Sequence, residues 1–223
     1  MESFFLKVSI MLLPALLAVT VHELAHGYTA DRLGDPTARL LNRLTLNPLR
    51  HLDLFGTLAV LLVGFGWAKP VPVNPSNLRN PHRHMLWVAL SGPSANLLLA
   101  LVSALLLRVA GWLGPVAVLG FIVRPMVLMA AFSLYINVIL AVINMVPVPP
   151  LDGGRVLAAL LPSRWAKRLL KLEPFGFFLV LGLILFTRTW SVVIAPLVLS
   201  VVSFLAGSYT PVVQEVIHFL FSR

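Results

Sequence analysis

Long apolar stretches constrain this chain more than any other feature. They fall at about 4–30, 54–66, 85–107, 116–146, 174–187 and 191–220. A helix that crosses a bilayer needs about 20 apolar residues, and the first, third, fourth and sixth stretches reach that length. The composition is 59% hydrophobic and 11% charged, whereas soluble domains average about 45–50% and about 25%. We therefore predict an all-α polytopic membrane protein with five to six transmembrane helices.

The two short stretches decide the expected topology. The fifth has 14 residues, and the second is bracketed by turn-forming prolines and glycines. If the second stretch re-enters the membrane, 13 of the 17 basic residues face one side. If it crosses the membrane instead, the most uneven division of the basic residues is 10 on one side and 7 on the other. Because Lys and Arg concentrate in cytoplasmic loops, the 13-to-4 division favours five spans with an external N-terminus. We expect a re-entrant or β-like segment near 54–75, which is tolerable where it lines a cavity.

Composition also limits the domain organisation and the partners. With so few polar residues, 1–223 is predicted to form one membrane-embedded domain, with a core at about 4–160 and C-terminal helices at 174–220. There are no cysteines, so a transition metal must be held by His, Asp or Glu. The net charge of +9 fits basic loops beside a lipid bilayer. No nucleic-acid motif is present, so no nucleic-acid partner is expected.

A metal-binding motif lies at the end of the first apolar stretch. It reads His22-Glu23-Leu24-Ala25-His26. On a helix, positions i and i+4 share a face, so two imidazoles at this spacing can bind one zinc ion. Glu23 can then reach a zinc-bound water as a general base. Ionisable residues in a membrane span are costly, which makes a ligand the better explanation than chance.

A catalytic zinc needs a third protein ligand, and the sequence offers several. The histidines His51, His82 and His84 lie in polar loops, where solvated side chains are the more common case. Asp152 follows a long apolar stretch, among prolines that break a helix and glycines that permit close approach. We favour Asp152 as a ligand, and a helix-stop turn that faces water is the alternative.

The chain contains four recognisable segments: His22–His26, Gly66–Asn74, Ser91–Asn96 and Asn144–Gly153. Together they resemble the site-2 protease family of intramembrane metalloproteases, in its compact branch without PDZ or nucleotide-sensing domains. The resemblance covers about 15–160 and implies that His22, His26 and Asp152 bind zinc while Glu23 acts as the base. It also implies that Asn144 and Asn96 line the site.

Peptide hydrolysis requires an oxyanion donor and a place for the unwound substrate, and the sequence offers a candidate for each. The Asn144 amide is a candidate donor to the oxyanion, and a hydrogen bond between helices is its alternative. The segment 68–75 contains three prolines and is expected to be extended. It is either a plain loop or an edge strand that pairs with an unwound substrate.

The sequence thus predicts a zinc-dependent intramembrane endopeptidase with one zinc per chain. Its expected substrates are membrane proteins with single-span or signal-peptide-like helices, and it is expected in the cell membrane with its active site toward the cytoplasm. A metal-ion transporter or channel and a non-catalytic scaffold are the alternatives. A transporter needs ionisable residues along a pathway through several spans. Here they cluster at one depth.

Overall fold

The computed structural model, which describes residues 2–54, 56, 68–113 and 120–222, is built from α-helices. The long helices are α1 (Glu2–Arg32), α3 (Pro81–Leu113) and α4 (Gly120–Asn144). The shorter ones are α2 (Thr37–Leu40), α5 (Asp152–Leu160), α6 (Ser163–Leu170), α7 (Gly176–Phe186), α8 (Ala195–Ala206) and α9 (Thr210–Phe221). A π-helical turn at Trp190–Ile194 precedes α8, and a 3-10 turn at Gly207–Tyr209 precedes α9.

Four helical segments within these described ranges are long and apolar enough to span a membrane. They are Phe5–Arg32, Pro81–Leu113, Ile122–Asn144 and Trp190–Phe221, and they match the four long stretches of the sequence. The chain is therefore an all-α membrane protein, as predicted. The fifth stretch forms α7, whose 11 residues extend only about 16 Å at 1.5 Å per residue. That length falls short of a hydrocarbon core of about 30 Å, so the structure does not support a fifth span.

The structure does not support the β-like part of the prediction beyond an extended segment at 68–74. Most of the predicted re-entrant stretch, 55 and 57–66, lies outside the described residues. Over 68–74 the chain has no helix, and its one β-bridge pairs Leu52 with Ala68. Within the part of the chain that the structure describes, no strand extends this bridge. A physical reason is that Pro70 and Pro72 have no N–H to donate to a ladder.

The chain divides into two compact units. The first comprises Met1–Ala18, Asn96–Ile143 and Ile184–Arg223, and the second comprises Val19–Ala95 and Asn144–Leu183.

A chain of buried polar side chains links three helices within the first unit. Asn96 Nδ2 donates to the Ala18 carbonyl oxygen at 3.1 Å and to Asn137 Oδ1 at 2.9 Å. Asn137 Nδ2 donates to the Ser133 carbonyl oxygen at 2.9 Å, and Ser103 Oγ donates to Ser133 Oγ at 2.8 Å. Such hydrogen bonds add to the packing of apolar spans, which have little hydrophobic drive to associate in lipid.

A buried carboxylate organises the loops of the second unit. Asp35 is fully buried and accepts hydrogen bonds from the Asn74 N–H at 2.6 Å and from Asn77 Nδ2 at 2.9 Å. It also accepts bonds from the backbone and the hydroxyl of Thr37. Burial raises the pKa of the Asp35 carboxyl, but these hydrogen bonds outweigh burial and lower its pKa overall. Asp35 thereby fixes one end of the extended 68–74 segment.

Candidate metal centre

The two histidines of the predicted motif lie on one face of α1. His22 and His26 are one turn apart and buried, each with 7% of its surface exposed. Their Nε2 atoms are 3.0 Å apart, and their rings meet edge to face with centroids separated by 4.6 Å. This arrangement is the geometry expected for an i, i+4 pair whose side chains converge on one point.

Asp152 joins the two histidines from the first residue of α5. Its Oδ2 atom lies 3.2 Å from His22 Nε2 and 3.2 Å from His26 Nε2. Backbone packing holds it there, because a Cβ at Gly153 would lie 2.5 Å from the Met145 carbonyl carbon. Only glycine permits so close an approach between the helix and the preceding loop.

These three side chains fit zinc. The ligand atoms form a nearly equilateral triangle with sides of 3.0, 3.2 and 3.2 Å. A tetrahedral site with zinc–ligand distances of about 2.0–2.1 Å has edges of roughly 3.3–3.4 Å. Asp152 Oδ2 is buried and accepts no hydrogen bond, and such a carboxylate oxygen is costly unless a cation completes its surroundings. The triad is a group of buried ligands that could hold a metal ion.

Helix α3 sets the orientation of His26. Its Nδ1 atom lies 2.7 Å from the Val88 carbonyl oxygen. That oxygen can only accept, so Nδ1 carries the proton and Nε2 presents its lone pair to the centre of the triad. Ser91 Oγ donates to the same carbonyl at 2.6 Å. The bond between His26 and the Val88 carbonyl selects the tautomer that a metal ligand needs.

Close approach of α3 to α1 depends on Gly92. A Cβ at this position would lie 2.6 Å from His26 Cε1 and 2.7 Å from His22 Cε1, and it would also contact His26 Nε2. Ordinary van der Waals contacts begin at 3.4 Å. The absence of a side chain at Gly92 therefore makes room for both imidazoles.

Glu23 is engaged by the extended segment. Its Oε2 atom accepts a hydrogen bond of 2.7 Å from the Val71 N–H. The segment is itself held by Arg43, whose guanidinium donates to the carbonyl oxygens of Lys69 at 2.8 Å and of Pro70 at 3.3 Å. Arg43 is 8% exposed. The carboxylate beside the first histidine is thus oriented by backbone groups that come from far along the chain.

The other sequence-predicted residues fall in different places. Asn144 is the last residue of α4 and is half-buried. Asn96 is fully buried and donates to Ala18 and Asn137. Their roles at the site stay predictions. The expectation of a solvated loop was wrong for His51, which is 1% exposed and has Nε2 2.9 Å from the Thr45 carbonyl oxygen.

Sequence reasoning assigned no role at this centre to three contributors: Gly92, Arg43 and the Val88 carbonyl. A signal existed for Gly92, since a glycine inside a long apolar helix weakens it and indicates close approach of another group. No signal existed for Arg43, because a basic residue in a loop of a membrane protein is ordinary.

Comparison with known proteins agrees with this geometry. The family model described as "Peptidase family M50" matches residues 108–187, a range that includes Asp152. A Bacillus subtilis (strain 168) protein, provisionally named zinc metalloprotease YwhC, is 38% identical over 175 residues, which are 78% of each chain.

More distant relatives carry the provisional name zinc metalloprotease Rip2. The protein from Mycolicibacterium smegmatis is 31% identical over 76% of this chain and 64% of its own length. The protein from Mycobacterium tuberculosis (Erdman) is 30% identical over 77% of this chain and 64% of its own length. No solved structure matches the chain. The similarity to YwhC extends over more than two thirds of both chains, and the chain belongs to the M50 family of metallopeptidases, the site-2 proteases.

Proposed function

We propose that this protein is a zinc-dependent intramembrane endopeptidase that acts on membrane-protein substrates. One observation carries the proposal. The His22, His26 and Asp152 ligand atoms converge within 3.2 Å of one another, and two of them belong to a helix that is long and apolar enough to cross a membrane. Buried ionisable groups at such a place are costly without a functional partner. We propose one zinc ion per chain.

The residues divide the chemistry between them. Zinc, when bound, supplies a Lewis acid for the scissile carbonyl and lowers the pKa of a coordinated water molecule to about 7. Glu23 takes the water proton and returns it to the leaving amine. Its Oε2 is held by the Val71 N–H at 2.7 Å, so Oε1 is the oxygen proposed to carry the proton. The Asn144 amide is proposed to donate to the oxyanion, and Asn96 is proposed to line the site.

We propose the cell membrane as the location, with the active site toward the cytoplasm and residues 54–66 re-entrant. The charge argument does not depend on the fifth stretch. If α7 crosses the membrane, Arg188 lies outside and Arg223 inside, and if it does not, the two exchange sides. In both cases 13 of the 17 basic residues face the cytoplasm.

A pair of variants tests the function. Glu23→Gln keeps the shape of the side chain and all three proposed ligands, so we expect wild-type zinc content without cleavage. Asp152→Ala leaves two imidazoles, so we expect lost zinc and lost cleavage. Zinc is measured on purified protein, and cleavage is measured by proteomic comparison of membranes that contain wild type or variant. Zinc-loaded wild type that cleaves nothing relative to Glu23→Gln would refute the endopeptidase and favour metal transport.

A further inference from the structure

A cavity of about 630 Å³ lies beside the segment that contacts Glu23. Its walls come from the segment 70–73, from the first turns of α3, and from helices α5 and α6. All of them belong to the same compact unit as the metal centre. Pockets that bind ligands have volumes of about 300–1,000 Å³, so this cavity has room for part of a peptide.

Val71 connects the cavity to the catalytic carboxylate. Its backbone N–H donates to Glu23 Oε2 at 2.7 Å, and the same residue lines the cavity. Arg43 fixes the wall beside it through the carbonyl oxygens of Lys69 and Pro70. A peptide whose scissile bond lies at Glu23 therefore has this cavity one residue away, across the Val71 backbone.

The segment 70–73 favours recognition of a bound peptide by its side chains over the pairing of β-strands. Pro70 and Pro72 have no N–H, and the N–H of Val71 is taken by Glu23. Three consecutive residues of the wall thus have no free donor for a β-ladder with a bound peptide. A peptide in the cavity must be held mainly by how its side chains fit.

The lining is apolar with a cationic rim. Ala158 and Ala166 form buried parts of the lining, with 5% and 8% of their surfaces exposed. At the rim, Arg155 is neutralised by Glu173, whose carboxylate lies 2.6 Å away. Lys167 also lines the cavity and has no ion-pair partner among the described residues. Small apolar side chains leave room for larger ones, and one uncompensated cation favours a carboxylate.

We propose that this cavity is a substrate subsite: it holds the unwound, apolar residues next to the scissile bond, with a substrate carboxylate facing Lys167. The proposal rests on the proposed endopeptidase function and adds a preference to it. Cytoplasmic flanks of membrane proteins are rich in Lys and Arg. A subsite that prefers an acidic flank would therefore reject most membrane proteins, which is one way to obtain specificity from repulsion.

Two neighbouring tryptophan substitutions on α5 test the subsite. Ala159 lines the cavity, whereas Leu160 does not and is 67% exposed. Ala159→Trp places an indole ring in the cavity, and Leu160→Trp adds a comparable ring outside it, so Leu160→Trp is the matched control. Both are made in the zinc-loaded Glu23→Gln chain, so that binding is measured without hydrolysis. The probes are fluorescent peptides with an apolar span of about 20 residues and a short flank that contains one glutamate or one lysine.

Fluorescence anisotropy in lipid nanodiscs gives the dissociation constants. We expect Ala159→Trp to weaken binding of the glutamate peptide about tenfold, whereas Leu160→Trp changes it less than about twofold. Lys167→Glu should reverse a preference of about two- to fivefold for the glutamate peptide over the lysine peptide. Zinc content should be unchanged in all three variants.

Equal binding to Ala159→Trp and to the Glu23→Gln parent would overturn the subsite, as would equal losses in both tryptophan variants. A cavity that holds lipid would give the first of these results, because filling it would displace lipid and leave peptide binding intact. The binding test of the subsite and the cleavage test of the proposed endopeptidase can fail independently. If the wild type cleaves neither peptide, the endopeptidase assignment fails for these probes, while the contrast between Ala159→Trp and Leu160→Trp still decides the subsite.

Discussion

Replacing Gly92 with alanine tests whether the metal centre depends on close packing of α3 against α1. The added Cβ would lie 2.6 Å from His26 Cε1 and 2.7 Å from His22 Cε1. Restoring ordinary contacts of 3.4 Å requires movements of 0.8 and 0.7 Å. Zinc–ligand distances tolerate deviations of only about 0.2 Å. A side chain displaced this far cannot keep its place in the triad.

The rings have little freedom to absorb the change. His26 is tied to the Val88 carbonyl at 2.7 Å through Nδ1, and rotating away breaks that bond. Loss of such a supporting hydrogen bond alone costs roughly 10–100-fold in metal affinity. We therefore expect Gly92→Ala to weaken zinc binding by at least about 100-fold and to abolish cleavage. Overpacking should also lower the free energy of unfolding by about 1–3 kcal/mol.

Zinc affinity is measured by competition with a chromophoric chelator on purified protein. Gly111→Ala is the matched control, because it makes the same change in the same helix but in the first unit, which does not contain the metal centre. A Cβ at Gly111 would also be crowded, since it would lie 2.7 Å from Tyr209 Cζ. Gly111→Ala should lower stability and leave zinc affinity unchanged. Wild-type zinc affinity in Gly92→Ala would refute the packing argument, and equal zinc loss in both variants would show a general effect of destabilisation.

Three further outcomes follow from the loops and the topology. Asp35→Asn should lower the melting temperature at neutral pH, and the difference should shrink below about pH 4, because a carboxyl with a lowered pKa stabilises the fold only while it is ionised. Arg43→Met should lower the free energy of unfolding by about 2–3 kcal/mol in denaturant titrations and leave zinc content unchanged, since Arg43 binds backbone carbonyls; lost zinc would contradict this. Single cysteines at Thr45 and Ser163, in a chain that has none of its own, should resist an impermeant external thiol reagent in intact cells; rapid labelling of either would reverse the proposed orientation.

Local patterns in the sequence determined much of the chemistry. Helical periodicity alone places His22 and His26 on one face, since the contact spans a single turn. The length of each apolar run predicted the four spans, because bilayer thickness sets a length that a run of residues either reaches or does not. The fifth stretch was predicted to cross although it falls short of this length, and the structure does not support that span, because α7 has only 11 residues.

Contacts between distant parts of the chain were decided by the tertiary structure. Asp152 lies 126 positions beyond His26 and yet 3.2 Å from its Nε2, and from the residues alone it was only the better of several candidates. The tautomer of His26, the partner of Glu23 and the space made by Gly92 each depend on where another helix or segment packs. Periodicity in the sequence predicts which residues are neighbours one helical turn apart. Distances between residues far apart in the chain are set by the packing of whole helices, for which a single sequence carries no local signal.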